Sequence, residues 1–268
     1  MRFYENIQKT SENRLSPRSY YIPDGECDYI LLNGKGNFKY FERDFDLIEN
    51  IISWGSIDVP SCWQLKGYDS PNYANAAFPY PCDPPFVPDD NPCGVYERNF
   101  DIPTDNKQTY FILEGVGSCA TVKVNGKYVG FTQGSHLQAE FDLTSFVVPG
   151  ENTIRVEVTK WSCGSYLEDQ DFFRFNSIFR DCYLLRRPHG HIKDIYVRTK
   201  NDTILVSTDA NSQISLFDAN GNLLNRVTSA KETSFTVENP IQWNAERPYL
   251  YSIVAECKGE IITQKIGF

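Results

Sequence analysis

Three carboxylates, Glu168, Asp169 and Asp171, fall within four positions of the stretch GSYLEDQDFFRF, which runs from Gly164 to Phe175. Ionised carboxylates act only as hydrogen-bond acceptors, and they are hard oxygen ligands for hard cations. Acid clusters on solvated loops keep small polar neighbours, but this one runs directly into Phe172, Phe173, Arg174 and Phe175. Two chemistries fit that company: a pocket that grips a sugar or a cation, or an ion pair that is buried and structural.

Other reactive groups carry less. His189 and His191 stand two apart with no third ligand nearby, which is poor spacing for a metal, and His136 is isolated in the sequence. Gly-x-Ser-x-Gly, phosphate-loop and His-Glu-x-x-His patterns are absent. The eight cysteines contain no Cys-x-x-Cys pair, so zinc-finger and thioredoxin-like chemistry is not indicated. Asn201-Asp202-Thr203 matches a glycosylation sequon too short to weigh.

The 268 residues are 41% hydrophobic, 14% aromatic and 23% charged, with a formal net charge of −9. Such a chain folds, is long enough for about two domains, and repels nucleic acid and anionic membrane surfaces. Its first residues, MRFYENIQKTSENRLSPRSYY, lack the apolar core and cleavage site of a secretory signal. The sequence therefore predicts a cytoplasmic protein with free thiols and neither a nucleic-acid nor a membrane partner.

The elements that must position the acid stretch read as strands. TYFILEGV (109–116) is a continuous apolar run, and ATVKVNGKYVGF (120–131) is a hairpin whose Asn125-Gly126 suits a type I′ turn. In EFDLTSFVVPGENTIRVEVTKW (140–161) a short turn of helix precedes Pro149-Gly150, and Ile154, Val156 and Val158 then share one strand face. YILLNGKGNFKYF (29–41) is a strand broken near Gly34 and Gly36. Residues 58–95 differ: eight prolines exclude a helix or central strand, and the aromatics argue against a free linker. A boundary falls near 186–194, after which strands resume, with a hairpin at Asn220-Gly221. The pattern is a sandwich followed by a smaller immunoglobulin-like one, and the chain looks cut at Phe268.

Four passages carry a resemblance: residues 59–96, 140–158, 161–185 and 237–251 (VENPIQWNAERPYLY). In content and order they resemble the N-terminal portion of a glycoside hydrolase family 2 β-galactosidase, and the SYLEDQD wording resembles galactosidases more than glucuronidases or mannosidases. The resemblance implies an all-β fold: an extended arm over 1–28, a jelly-roll (galactose-binding-domain-like) β-sandwich over 29–188, and an immunoglobulin-like β-sandwich over 189–268. It implies that a (β/α)₈ barrel with two catalytic glutamates follows in the complete enzyme, so that no catalytic residue lies in this chain. Neighbouring acids on one loop are in any case poorly placed to flank a glycosidic bond as a pair about 5–5.5 Å apart.

By the same resemblance Asp171 binds substrate hydroxyls and ligates sodium, and Asn75, in SPNYANAAF, hydrogen-bonds galactose. Sodium, and magnesium in the barrel, are the ions expected of the complete enzyme, with none held by this chain alone. The expected partners are a β-galactoside, the barrel and further copies of the enzyme. Two other readings stay open: a stand-alone carbohydrate-binding module and an oligomer-assembly module. Glu168 or Asp169 is expected to pair with Arg174 or Arg180, and Trp54, Trp63, Trp161 and Trp243 to anchor cores. This chain has Phe173 where the family often has tryptophan, and Asn176-Ser177 where it often has Ser-Gly, which puts the backbone approach there in question.

Overall fold

The structure, a computed structural model, describes residues 2–74, 77–168 and 171–268. Contacts divide the chain into two compact units: residues 1–17, 29–105 and 109–185 form the larger, and 18–28, 106–108 and 186–268 the smaller. The first 28 residues are thus shared between the two. Both units are built from strands, and among the described residues no helix is long and apolar enough to cross a membrane.

In the larger unit an antiparallel seven-stranded sheet has the spatial order Ser11–Glu12, Lys127–Gln133, Cys119–Val124, Gly150–Thr159, Cys93–Ile102, Gly34–Phe41 and Gly55–Val59. A four-stranded sheet, in the same unit apart from Asp28, Gln108, Arg186 and Arg187, runs Ala139–Asp142, Gln108–Leu113, Cys182–Arg187 and Asp28–Leu31. Non-consecutive neighbours give the jelly-roll wiring of a sandwich. Side chains at every second position turn inward, so Val122, Val124, Ile154, Val156 and Val158 join Phe38, Phe111, Leu113, Phe141 and Leu184 in one core. Asn125 (φ 51°) and Gly126 (φ 74°) make the expected two-residue turn, with Val124 opposite Lys127. The expected helical turn after Leu143 is a single one: both Phe146 and Val147 donate to its carbonyl.

The smaller unit is organised by a long strand, Thr203–Phe217, whose first half pairs with Ile195–Lys200 and whose second half pairs with Tyr251–Cys257. Leu223–Thr236 pairs along both halves, with register shifts near residues 207–214. Asp24–Gly25 adds itself antiparallel to the edge strand Glu260–Ile266. Ile204, Ile214, Phe235, Ile253 and Ile262 fill the core. The Asn220-Gly221 hairpin closes as a five-residue loop, because Phe217 opposes Leu223 and Asp218 accepts from the amides of Asn220 and Asn222. Both units have the predicted all-β sandwich form.

Candidate functional site

The proline-rich excursion and the acid stretch meet in a small antiparallel ribbon. Strand Asn72–Ala74 pairs with Phe172–Arg174, in the register Ala74 to Phe172, Tyr73 to Phe173 and Asn72 to Arg174. Segments some hundred positions apart are thus laced together at the residues adjoining both predicted site positions. Asp171 immediately precedes the second strand; its carboxylate is exposed and accepts a hydrogen bond from the Tyr73 hydroxyl. Asn75, which follows Ala74, lies outside the described residues, as does Asp169.

The two faces of the ribbon are unlike. Tyr73 and Phe173 stand directly opposite one another, ring centroids 5.6 Å apart, and both are exposed. Ala74 and Arg174 are buried, and the Arg174 guanidinium donates to the Ser165 carbonyl at 3.1 Å. An aromatic cross-strand pair stiffens a ribbon too short to be stable alone. Beside it lies a cavity of about 340 Å³ bordered by Glu168, Arg174, Phe173, Phe175, His136 and Asn176. That falls within the size range of small-ligand pockets, about 300–1,000 Å³.

Of the two acids expected to pair with an arginine, Asp169 lies outside the described residues, and Glu168 binds Ser135. The Glu168 carboxylate receives the Ser135 amide at 2.5 Å and the Ser135 hydroxyl at 2.7 Å. Arg180 reaches instead toward the His136 carbonyl, at 3.3 Å. A backbone amide and its own hydroxyl form a ready two-point clamp for a carboxylate, which helps to fix the loop. Upstream, Tyr166 donates to the Phe86 carbonyl at 2.6 Å and packs on Phe78 and Tyr80, so the proline-rich loop leans on the acid stretch. A wider cleft of about 1010 Å³ opens among Arg2, Tyr80, Phe86, Asp89, Lys160 and Trp161.

Under the ribbon sits a polar cluster that sequence reasoning missed. Asp69 Oδ2 accepts from Lys160 Nζ at 2.6 Å, Gln64 Nε2 at 3.1 Å and Trp63 Nε1 at 3.5 Å. Gln64 also exchanges two hydrogen bonds with Asn176, each 2.9 Å, and Asn176 Nδ2 donates to the Lys160 carbonyl at 3.1 Å. The one hint in the sequence was the concentration of polar residues between Trp63 and Ser70, in a segment too rich in aromatics to be solvated.

The tryptophans divide. Trp63 and Trp161 are buried, and Trp54 is half-buried beneath Arg155. Trp243 departs from the expected core role: it is 49% exposed, its ring lies against Gly267, and its amide donates to the Phe268 carbonyl. As for ions, Asp171 offers one hard oxygen ligand, and among the described residues no group of three or more His, Cys, Asp or Glu could hold a metal.

Comparison with known proteins adds what geometry cannot. Residues 30–188 match the sugar binding domain of glycosyl hydrolases family 2, and residues 190–268 match a second domain of glycosyl hydrolases family 2. A β-galactosidase of Staphylococcus xylosus is 38% identical over 99% of this chain and 30% of its own length. One from Actinobacillus pleuropneumoniae is 35% identical over 99% of this chain and 29% of its own. The chain therefore spans about 30% of the length of the curated relatives it matches. Among solved structures, a β-glucuronidase from an uncultured Clostridium sp. superposes with a TM-score of 0.74, at 21% identity, over 94% of this chain and 46% of that one. At that identity the likeness speaks for the fold alone.

Proposed function

The chain belongs to glycosyl hydrolase family 2, and from that premise we propose that it is the non-catalytic N-terminal part of a retaining β-galactosidase, supplying one rim of the galactose site through Asn75 and Asp171. The observation that carries this reading is the ribbon: the residue before Asn75 pairs with the residue after Asp171. An amide offers donors and an acceptor, and a carboxylate offers strong acceptors, so together they match the alternating donors and acceptors of a hexose. Tyr73, donating to Asp171, fixes the carboxylate before the sugar arrives and lowers the entropy lost on binding.

In the whole enzyme the two glutamates of the barrel would act as acid/base and nucleophile. The rim would hold the sugar ring in the distorted geometry that an oxocarbenium-like transition state favours. Asp171 would hold sodium together with ligands from outside this chain; the ion, when bound, supplies a positive charge against which sugar oxygens can be fixed. Magnesium belongs to the barrel in this reading, which also includes self-association of the complete enzyme and a cytoplasmic location.

The test is a chimera in which these 268 residues replace the corresponding part of the S. xylosus β-galactosidase. The isolated chain should not hydrolyse nitrophenyl-β-galactoside, and the chimera should. Asp171→Asn in the chimera should lower kcat/KM by roughly 10- to 150-fold, as for loss of a hydrogen bond to a charged group worth about 1.5–3 kcal/mol. Hydrolysis by the repurified chain alone, or an Asp171→Asn chimera as active as its parent, would refute the reading.

A further inference from the structure

The geometry points to Lys160 and Asp69 as a positioning pair that sets where the Asp171 ribbon stands; the catalytic consequence rests on the reading above, whereas the anchoring does not. The side-chain hydrogen bonds described for the pair involve residues 63–70 and 176 and neither ribbon strand. The pair acts at the ribbon's two roots, which leave the sandwich at different points in the chain.

One root is the turn Trp63–Lys66 and the residues after it, which lead into strand Asn72–Ala74. The other is the segment Asn176–Ile178, which leads away from strand Phe172–Arg174. The roots run side by side: the Trp63 amide donates to the Asn176 carbonyl and the Ser61 amide to the Ile178 carbonyl, both at 3.2 Å. Gln64 and Asn176 lock them through paired side-chain contacts. Lys160, at the end of strand Gly150–Thr159, is the fixed point under both. Its ammonium group holds Asp69 and the Ser70 carbonyl of the first root, and its own carbonyl receives Asn176 of the second.

The burial argues for placement over mere solubility. The Lys160 side chain is 5% exposed and that of Asp69 15%. A lysine loses much hydration and rotamer freedom when sunk this way, and an apolar residue would fill the space more cheaply. What an apolar residue could not do is choose one register for two loops with no extended pairing between them. A direction-sensitive, satisfied network does that, and a slip of one residue in either root would break several of its bonds at once. The ribbon itself has only three paired positions per strand, so it inherits its position from these roots.

Two readouts test this. In the 268-residue chain carrying Asp69→Asn, amide hydrogen exchange over residues 72–74 and 172–174 should quicken at least tenfold, while strands Cys119–Val124 and Gly150–Thr159 keep their protection. Unchanged ribbon exchange, or quickening shared equally by the whole sandwich, overturns the inference. Should Asp69→Asn not fold, Gln64→Met leaves the Lys160–Asp69 ion pair and removes the amide link between roots together with the Gln64–Asp69 bond, with the same expectation. In the chimera, Asp69→Asn should lower kcat by about ten- to a hundredfold with KM little altered, the signature of misplacement and not of lost ground-state binding. Lys160→Arg, which keeps the charge, should stay within a few fold of the parent. Quickened ribbon exchange with an unaltered kcat leaves the anchoring intact and overturns the inference that the pair's placement of the ribbon matters to turnover.

Discussion

Lys160–Asp69 in the larger unit and Arg187–Glu260 in the smaller are both buried ion pairs, and they are built for different ends. Lys160–Asp69 in the larger unit is partly open, has four further hydrogen-bonding partners, and lies beneath an exposed ribbon. Arg187–Glu260 in the smaller unit is sealed, each side chain 1% exposed, and is bidentate at 2.6 and 2.7 Å. Arg187 also reaches the Tyr21 hydroxyl, which donates to the Ile192 and Lys193 carbonyls. Both pairs sit where distant parts of the chain meet. The sealed pair is held among buried groups, so disturbing it is expected to change stability. Disturbing the open pair can also move a site.

The largest expected effect breaks the sealed pair. Arg187→Ala leaves the Glu260 carboxylate buried without a counter-charge, and should cost about 3–5 kcal/mol of smaller-unit stability. Denaturant unfolding followed at Trp243, the one tryptophan of that unit, checks this. The double substitution Arg187→Met/Glu260→Leu should recover most of the loss, because neither charge then needs hydration. A loss below about 1 kcal/mol for Arg187→Ala would mean that water or a shifted side chain compensates, and the contrast between the pairs would dissolve.

A smaller effect couples core and site in the larger unit. Gly94 lies in strand Cys93–Ile102, and a methyl group there would come within 2.6 Å of the Trp63 ring and 2.9 Å of Phe38. Both rings are fully buried, so neither can step aside freely. Gly94→Ala should therefore cost about 1–3 kcal/mol by overpacking. Because Trp63 also donates to Asn176 and Asp69, the displaced ring should quicken ribbon exchange as well. A stability loss with the ribbon undisturbed would show that the core and the roots are mechanically separate.

Local chemistry was legible in the sequence, and long-range pairing was not. The Asn125-Gly126 turn follows from the positive φ angles both residues tolerate, and the inward faces of 120–124 and 154–158 follow from period-two alternation. The proline-rich segment was recognisable as an ordered excursion because its aromatics had to pack. Its pairing with residues 172–174 carries no signal in either segment, since the choice of partner strand is made by the roots below. At Glu168 the charge gave no sign of its partner, which is the amide and hydroxyl of Ser135. Size misled at Trp243: a large apolar ring in a strand-rich region stands half in solvent. The division of residues 1–28 between the units was equally hidden, because short docked strands such as Ser11–Glu12 and Asp24–Gly25 lack any period of their own.

The smallest effect concerns Ser177, where the resemblance leads to an expectation of glycine. The backbone there keeps φ at 149°, a region that favours glycine, and the residue is fully buried. Its hydroxyl lies 2.7 Å from that of Tyr96, which is also buried, and burial pushes the Tyr96 phenol well above its ordinary pKa. The serine thus exchanges backbone ease for a polar contact beside the second root. Tyr96→Phe strands the serine hydroxyl and should cost about 1 kcal/mol. Tyr96→Phe/Ser177→Gly removes both polar groups together with the unfavourable φ, and should recover most of that loss in the same unfolding assay. If the double variant is instead the less stable of the two, the Tyr96–Ser177 contact is not what offsets the backbone conformation. Residue 177 would then be held by its neighbours Asn176 and Ile178 alone, which makes the polar roots, and not the core behind them, the element that dictates local geometry in the larger unit.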